Sequence, residues 1–414
     1  MRVVSLQVVY SVLLVFTHFN PTKMNTKTQL ILTSLLLLFV FSCGSDDKSS
    51  QKTIVNKPLN TIDLVQNFEN AKPRKKFKDF FEIESVIKLE SNKKSFISSV
   101  GKILSIKDSI LILDNKYTGI KVFDKVGNYL YTFSSVGQGP GQFTKLFDMN
   151  YAIDKDLLFV YSNDDMKMAT FKRSGEFVSE KHIPFYGYYF APVNDNRFLF
   201  YLNYNSSEIN DENNLILTDS NYKVTKYFFP YKRDFALSMS GFLLKLPQSV
   251  LYADAFSEDV YEYSNKEINL KYKFKLGKYL IPSEFTNKQS TLIQKLMGYS
   301  YLLTVGGDSE KVMFFSLVHQ NNISNGFFLK NNNQVFTALD FIKSDIFHLL
   351  SSTSNITDKE NSFIAYVDAE MVRYKTNANK DMLQTLKKDY PKIFEAISNL
   401  KDTDNPVIVT FKMK

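Results

Sequence analysis

The chain has 414 residues, 44% apolar and 15% aromatic, which is ample for a large packed core. Its net charge of +8 is a mild, dispersed excess, so no nucleic-acid partner is expected. The single cysteine, Cys43, excludes a disulfide within the chain.

From the N-terminus, Val8–Phe16 is an apolar run with no assignable role, and Met24 opens a better start. Lys27 supplies a basic flank, and Leu30–Phe41 is an apolar segment of signal-peptide length, too short to span a bilayer comfortably. Cys43 stands at its end. Residues 1–43 are therefore expected to be a signal segment, and residues 44–79, polar and lysine-rich, a flexible tether. The dense cluster Lys72–Lys78 (KPRKKFK) is read as part of that solvated linker. Phe81–Leu89 alternates apolar and polar residues and predicts a strand.

The stretch Gly101–Phe143 carries the clearest grammar. Short runs at Gly101–Ile106, Ile110–Leu113, Ile120–Phe123 and Tyr129–Phe133 are broken by polar turns, predicting four antiparallel strands with no helix between them. A second unit, Phe147–Pro184, repeats the pattern: Leu158–Tyr161 echoes Leu111–Asp114 after 47 residues, and Phe171…Gly175 echoes Phe123…Gly127 after 48. The third unit, about Tyr186–Tyr231, places strands at Arg197–Asn203, Leu215–Thr218 and Lys223–Phe229, with Asn221 expected in the left-handed position of Gly175. Val250–Phe274 forms a fourth unit with a degenerate turn at Ser264–Lys266. Pro282–Leu296 has helical spacing. A fifth unit covers Lys311–Val318, Gly326–Lys330 and Gln334–Ala338. The sixth holds Ser362–Val367 and a helical insertion, Asp381–Leu400, that Pro391 should kink or split. Asn405–Phe411 is a final β run.

The expected fold is all-β: a six-bladed β-propeller of four-stranded antiparallel blades over residues 80–414, with two short helical insertions. Neither Glu82–Leu89 nor Val407–Phe411 has a partner nearby in sequence, so both are predicted to complete the sixth blade together.

GQGPGQF, FDKVGNYL, VLYADAFSEDVYEY and DNPVIVTFKMK resemble the six-bladed β-propeller lipoproteins of Bacteroidetes, over roughly Phe81–Lys414. GQGPGQF also resembles the inter-blade loop of NHL-type propellers. Val40–Gly44 is similar to bacterial lipoprotein signals, which implies diacylation of Cys43 as the mature N-terminus. Ser45-Asp46-Asp47 resembles the acidic export tag of Bacteroidetes lipoproteins, which implies the outer face of the outer membrane. Asp108-Ser109-Ile110 resembles their O-glycosylation sequon, though a strand-connecting turn explains it as well.

Chemistry is sparse. His182, His319 and His348 are isolated, so no zinc or triad site is expected. Asp114, Asn115, Asp154, Asn163, Asp164 and Asp165 could supply oxygens to a Ca²⁺, but turn formation accounts for all of them, and neither a catalytic residue nor a metal or other cofactor is assigned. The leading expectation is a non-enzymatic, monomeric binding propeller for a glycan, peptide or envelope protein, contacting it through Tyr186–Phe190 and the Asn205–Asn214 insertion. The alternatives are a Ca²⁺-dependent hydrolase or lyase with its site in the central channel, and a structural subunit of an envelope complex.

Overall fold

The structure, a computed structural model, describes residues 59–414 apart from 115, 117–118, 134–135, 206–211, 232–240, 283–295, 352, 356–358 and 360. The signal segment, Cys43, the acidic tag and the expected helix at Pro282–Leu296 lie in whole or almost in whole outside the described residues.

Six four-stranded antiparallel sheets follow one another. Blade 1 is β3 (Val100–Ile106), β4 (Ser109–Asp114), β5 (Ile120–Asp124) and β6 (Tyr129–Phe133). Blade 2 is β7 (Asp148–Ala152), β8 (Leu157–Ser162), β9 (Lys167–Lys172) and β10 (Phe177–His182). Blade 3 is β11 (Tyr189–Val193), β12 (Arg197–Tyr201), β13 (Asn213–Thr218) and β14 (Val224–Pro230). Blade 4 is β15 (Phe242–Lys245), β16 (Val250–Ala253), β17 (Asp259–Ser264) and β18 (Glu267–Lys275). Blade 5 is β19 (Ser300–Asp308), β20 (Val312–His319), β21 (Asn322–Leu329) and β22 (Gln334–Thr337). Blade 6 runs outward as β23 (Ser354–Asn355), β24 (Ser362–Val367), β25 (Val407–Met413) and β2 (Phe81–Lys88).

Blade 6 closes the ring as the lone N- and C-terminal runs required. β2 pairs antiparallel with β25, from Phe81 opposite Met413 to Lys88 opposite Val407. Ser85 and Thr410 add a hydroxyl–hydroxyl bond of 2.6 Å.

The second strand of each blade is dominated by apolar residues because it is buried on both faces. Alternate side chains of a strand point to opposite sides of the sheet. Ile110 and Ile112 face blade 6, while Leu111 and Leu113 face blade 2. In blade 3, Phe198 and Phe200 pack toward blade 2, and Leu199 and Tyr201 toward blade 4. The core is accordingly a set of inter-blade layers, one at each of the six junctions. Buried hydroxyls pin neighbours together. Tyr161 donates to Asn163 (2.8 Å) and accepts the Gly187 N–H (2.8 Å) of the segment entering blade 3. Tyr201 does the same for blade 4, donating to Asn203 (2.9 Å) and accepting from Gly241 (2.9 Å).

The expected repeat of the turn holds with one shift. Asp124 and Asp219 each accept two backbone N–H groups from their own turn. Gly127 and Gly175 take φ of 99° and 88°, but in blade 3 the left-handed residue is Tyr222 (φ 61°), not Asn221. Tyr222 is buried against Phe198 at 5.3 Å, so aromatic packing offsets the backbone strain that the sequence argument assigned to an asparagine. The turn at Ser264–Lys266 is regular: Asn265 and Lys266 have φ of 50° and 67°, a type I′ hairpin.

Two elements differ from expectation. Residues 59–79 are not a tether. β1 (Asn60–Asp63) adds in parallel to the outer edge of β18, and α1 (Leu64–Asn70) follows, with the Asp63 side chain capping the Val65 N–H at 3.1 Å. Asn67 then bonds Asp340 (2.6 Å) and Thr337 (2.7 Å) beside blade 5. The strap thereby covers outer edges that would otherwise be open. The KPRKKFK cluster is its last part: Phe77 is fully buried, and Lys76 and Lys78 each meet Asp389 at 2.7 Å.

The second difference lies between β24 and β25. The insertion holds three helices, α2 (Ala369–Ala378), α3 (Asp381–Asp389) and α4 (Pro391–Ile397), of which the first has no strong apolar period. Pro391 starts α4 and splits the helix at Tyr390, as its missing N–H and fixed φ demand. No helix among the described residues is long and apolar enough to cross a membrane.

Candidate functional site

The innermost strands β3, β7, β11, β15, β19 and β23 contact one another in a ring around the axis. In a four-stranded meander the first-to-second and third-to-fourth connections leave at one end, here called the lower rim. The second-to-third and inter-blade connections leave at the other, which therefore carries the α2–α4 insertion.

A recess of about 170 Å³ opens at the lower end of the axis. Its polar lining includes Lys102, Asn150, Asp154, Lys155, Asn194 and Lys245, drawn from blades 1 to 4, and Ser354 of blade 6 joins them. Lys102 donates to buried Asp148 (2.8 Å) and to Asn150 Oδ1 (3.2 Å). Asp148 also accepts the Phe190 N–H (3.2 Å), and Asn150 Nδ2 donates to the Phe190 carbonyl (2.6 Å), which fixes both side chains across blades 1, 2 and 3. Lys155 donates to Asn196 Oδ1 (2.5 Å) and Lys245 to the Pro247 carbonyl (3.3 Å). Burial pushes the Lys245 ammonium down to about 8, with Asp154 acting in the opposite direction. Three ammonium groups thus surround a small recess in which only Lys102 is matched by a fully buried carboxylate. The arrangement attracts anionic or hydroxyl-rich ligands and repels a cation.

The residues weighed as calcium ligands do not converge. Asp154 sits on the lower rim at the recess. Asp114, Asn163, Asp164 and Asp165 belong to second-to-third-strand connections on the opposite rim. Asp114 accepts from Ser98 and from the Lys116 N–H (3.0 Å), Asn163 from Tyr161, and Asp165 from Thr144 Oγ1 (2.6 Å) and Ser162 Oγ (2.7 Å). Asn115 lies outside the described residues. No group of three or more acidic, histidine or cysteine side chains is placed to hold a metal among the described residues. The three described histidines have different surroundings. His182 ends the exposed outer strand of blade 2. His319 bonds buried Ser300 at 2.7 Å and stacks on Phe68 at 3.8 Å. His348 is packed beyond blade 5, where burial lowers its pKa.

The aromatic segment Tyr186–Phe190 is largely not a contact loop. Tyr186 is 53% exposed, but Phe190 is fully buried, and Tyr189 and Phe190 begin β11. Within Asn205–Asn214, residues 206–211 lie outside the described residues, while Asn213 and Asn214 are buried. Ser109 of the sequon-like tripeptide is also buried, in β4. The lysines of the lower rim escaped sequence reasoning: a lysine beside a short strand signals nothing until the strand is known to be innermost.

No curated protein matches the chain. Among solved structures, a Bacteroides fragilis NCTC 9343 protein whose name suggests export aligns with a TM-score of 0.70 at 19% identity, over 86% of this chain and 99% of that one. A member of the DUF4221 family from Bacteroides vulgatus ATCC 8482 aligns with a TM-score of 0.52 at 11% identity, over 81% and 98%. At such identities these likenesses show the propeller fold alone. Residues 59–412, which take in the strap as well as all six blades, match the family described as "Domain of unknown function (DUF4934)", and the chain belongs to that family.

Proposed function

We propose that this protein is an outer-membrane lipoprotein, anchored through Cys43 and exposed on the cell surface, whose propeller binds a glycan, peptide or envelope protein without transforming it. The observation that carries the binding reading is the lysine-lined recess at the lower end of the axis, built by five blades and held by the Lys102–Asp148–Asn150 network. A site assembled from several blades is held by the scaffold they form, as the bonds of Lys102, Asp148 and Asn150 across blades 1 to 3 illustrate. The anchoring reading rests on the apolar segment ending at Cys43 and on Ser45-Asp46-Asp47. A chain that acts as a single copy fits the ring, because a closed propeller leaves only the short outer strand of each blade as an edge, and β1 covers that of blade 4.

Immobilised mature protein probed with oligosaccharide and peptide arrays tests binding. Capture should fall at least tenfold when Lys102 and Lys155 are both replaced by alanine. Capture of nothing, or capture indifferent to those lysines, rejects the reading. Anchoring is tested separately: Cys43→Ala should move the protein from the membrane to the soluble fraction, and retention in high salt would refute lipidation.

A further inference from the structure

A second recess, of about 320 Å³, opens on the same rim between blades 3 and 4. Its walls include Arg197 at the start of β12, Lys245 and Ser249 around the β15–β16 connection, and Tyr263 and Lys266 of the β17–β18 hairpin. Val193, Asn194 and Lys245 line both this recess and the axial one, so the two adjoin.

Its charge is unbalanced. Arg197, Lys245 and Lys266 share the lining with a single carboxylate, Asp195, which accepts from Arg197 Nη2 (3.1 Å) and Lys266 Nζ (3.2 Å). Two donors in the wall have no acceptor: Arg197 Nε and the Tyr263 hydroxyl are both buried and unpartnered. Buried donors are almost always satisfied in folded proteins, so a pair of orphans on one recess marks where an acceptor belongs. Tyr263 lies within the fields of both Arg197 and Asp195, which puts the two orphans in one locality. The lining also carries the amides of Asn194, Gln248 and Asn265, each able to donate to and accept from hydroxyls. The type I′ hairpin holds Asn265 and Lys266 on a tight two-residue turn above the recess.

We propose that this recess is the oxyanion subsite of the binding face, taking the carboxylate or sulfate of an acidic glycan whose neighbouring sugar units extend across the axial recess. The proposal rests on the binding function set out above and names its ligand class. The guanidinium edge and the tyrosine hydroxyl meet the oxyanion after a small shift of the side chains that now cover them, Lys266 closes over it, and the amides read the ring hydroxyls.

Calorimetric titration of the mature protein at constant ionic strength provides the test, with galacturonate as the carboxylate probe, inorganic sulfate as the sulfate probe, and galactose and chloride as controls. Saturable binding is expected for galacturonate or sulfate and not for the controls, and whichever binds identifies the group recognised. Arg197→Gln and Lys266→Ala should each weaken it at least tenfold, and Lys412→Ala, an exposed lysine of β25 in blade 6, should leave it unchanged. If Arg197→Gln fails to fold by circular dichroism, Lys266→Ala decides, because that side chain is exposed. Absence of binding by both probes, or binding that Lys266→Ala leaves intact, overturns the subsite. Array capture that still depends on Lys102 and Lys155 in that event would leave the broader binding function standing.

Discussion

At the scale of single residues, Asp345 shows how one buried carboxyl ties distant segments together. It is fully buried, caps the short helical turn Ile346–His348 through the Phe347 N–H (3.0 Å), and accepts the Phe77 N–H (3.1 Å) and the Tyr390 hydroxyl (2.9 Å). Burial pushes its pKa up to about 6, against the hydrogen bonds that favour the charged form. The folded state therefore keeps a proton that the unfolded chain has already released. Stability from this group is fully present below the unfolded carboxyl pKa of about 4 and is lost as pH rises through about 6. Asp345→Asn keeps the acceptor oxygen for both N–H groups and stays neutral at every pH. Its stability relative to wild type should rise by about 1 kcal/mol between pH 5 and pH 7.5, read from denaturant midpoints. A pH-independent difference would show that Asp345 does not titrate in this range. Asp254, raised to about 6 by burial near Tyr201, Tyr204 and Tyr252, adds a slope of the same sign, which the wild-type-minus-variant comparison cancels.

Among elements, the N-terminal strap is the one whose role runs against its composition. Asp389, at the end of α3, has a side chain only 2% exposed and two lysines on it, which hold its pKa below the ordinary carboxylate range. Removing both cations leaves a buried charge without a partner, a far worse state than losing a surface pair. Lys76→Ala combined with Lys78→Ala should cost about 2–4 kcal/mol and loosen α3 and α4 toward hydrogen exchange ahead of the blades. Asp389→Asn should cost less, because it removes the buried charge and leaves only two partly exposed lysines without their partner. Equal stability of the double variant and wild type would return the cluster to the status of a solvated linker. The folded pKa being depressed, this brace is present above about pH 4 and weakens only as acid approaches the lowered value.

On the scale of the whole molecule, ring closure decides stability. β25 lies between β24 and β2, so deleting Asn405–Lys414 removes the strand that joins the two ends of the chain. It also takes Val407, Val409 and Phe411 out of the layer with blade 5, and Ile408 out of the layer with blade 1. Both junctions of blade 6 are lost together, so unfolding should occur at a markedly lower temperature and as one transition. The backbone of β2 should exchange before any other blade strand. A truncated protein with an unchanged melting temperature would contradict closure through β2 and β25.

The sequence by itself determined the blade grammar, the blade number and the pairing of the chain's two ends. Those depend on local chemistry: apolar runs buried on both faces, turns at Asp124–Gly127 and Lys172–Gly175 that need a left-handed residue, and terminal strands with no near partner. Pro391 likewise announced a broken helix, because a missing N–H acts wherever the helix lies. Only the tertiary structure decided the rest. The innermost strands, such as FLLK of β15 and DMNYA of β7, are short and mixed in polarity because they face the axis and two neighbours at once, so no period marks them. Tyr222 takes the left-handed position because Phe198 and Phe200 are there to receive its ring. Lys76 and Lys78 of KPRKKFK are structural because Asp389, more than three hundred residues away in sequence, waits for them. Lys102, Arg197, Lys245 and Lys266 read as ordinary surface charges until the closed ring brings blades 1, 3 and 4 to one rim. A convergence of that kind is a property of ring geometry, which no local stretch of the chain encodes.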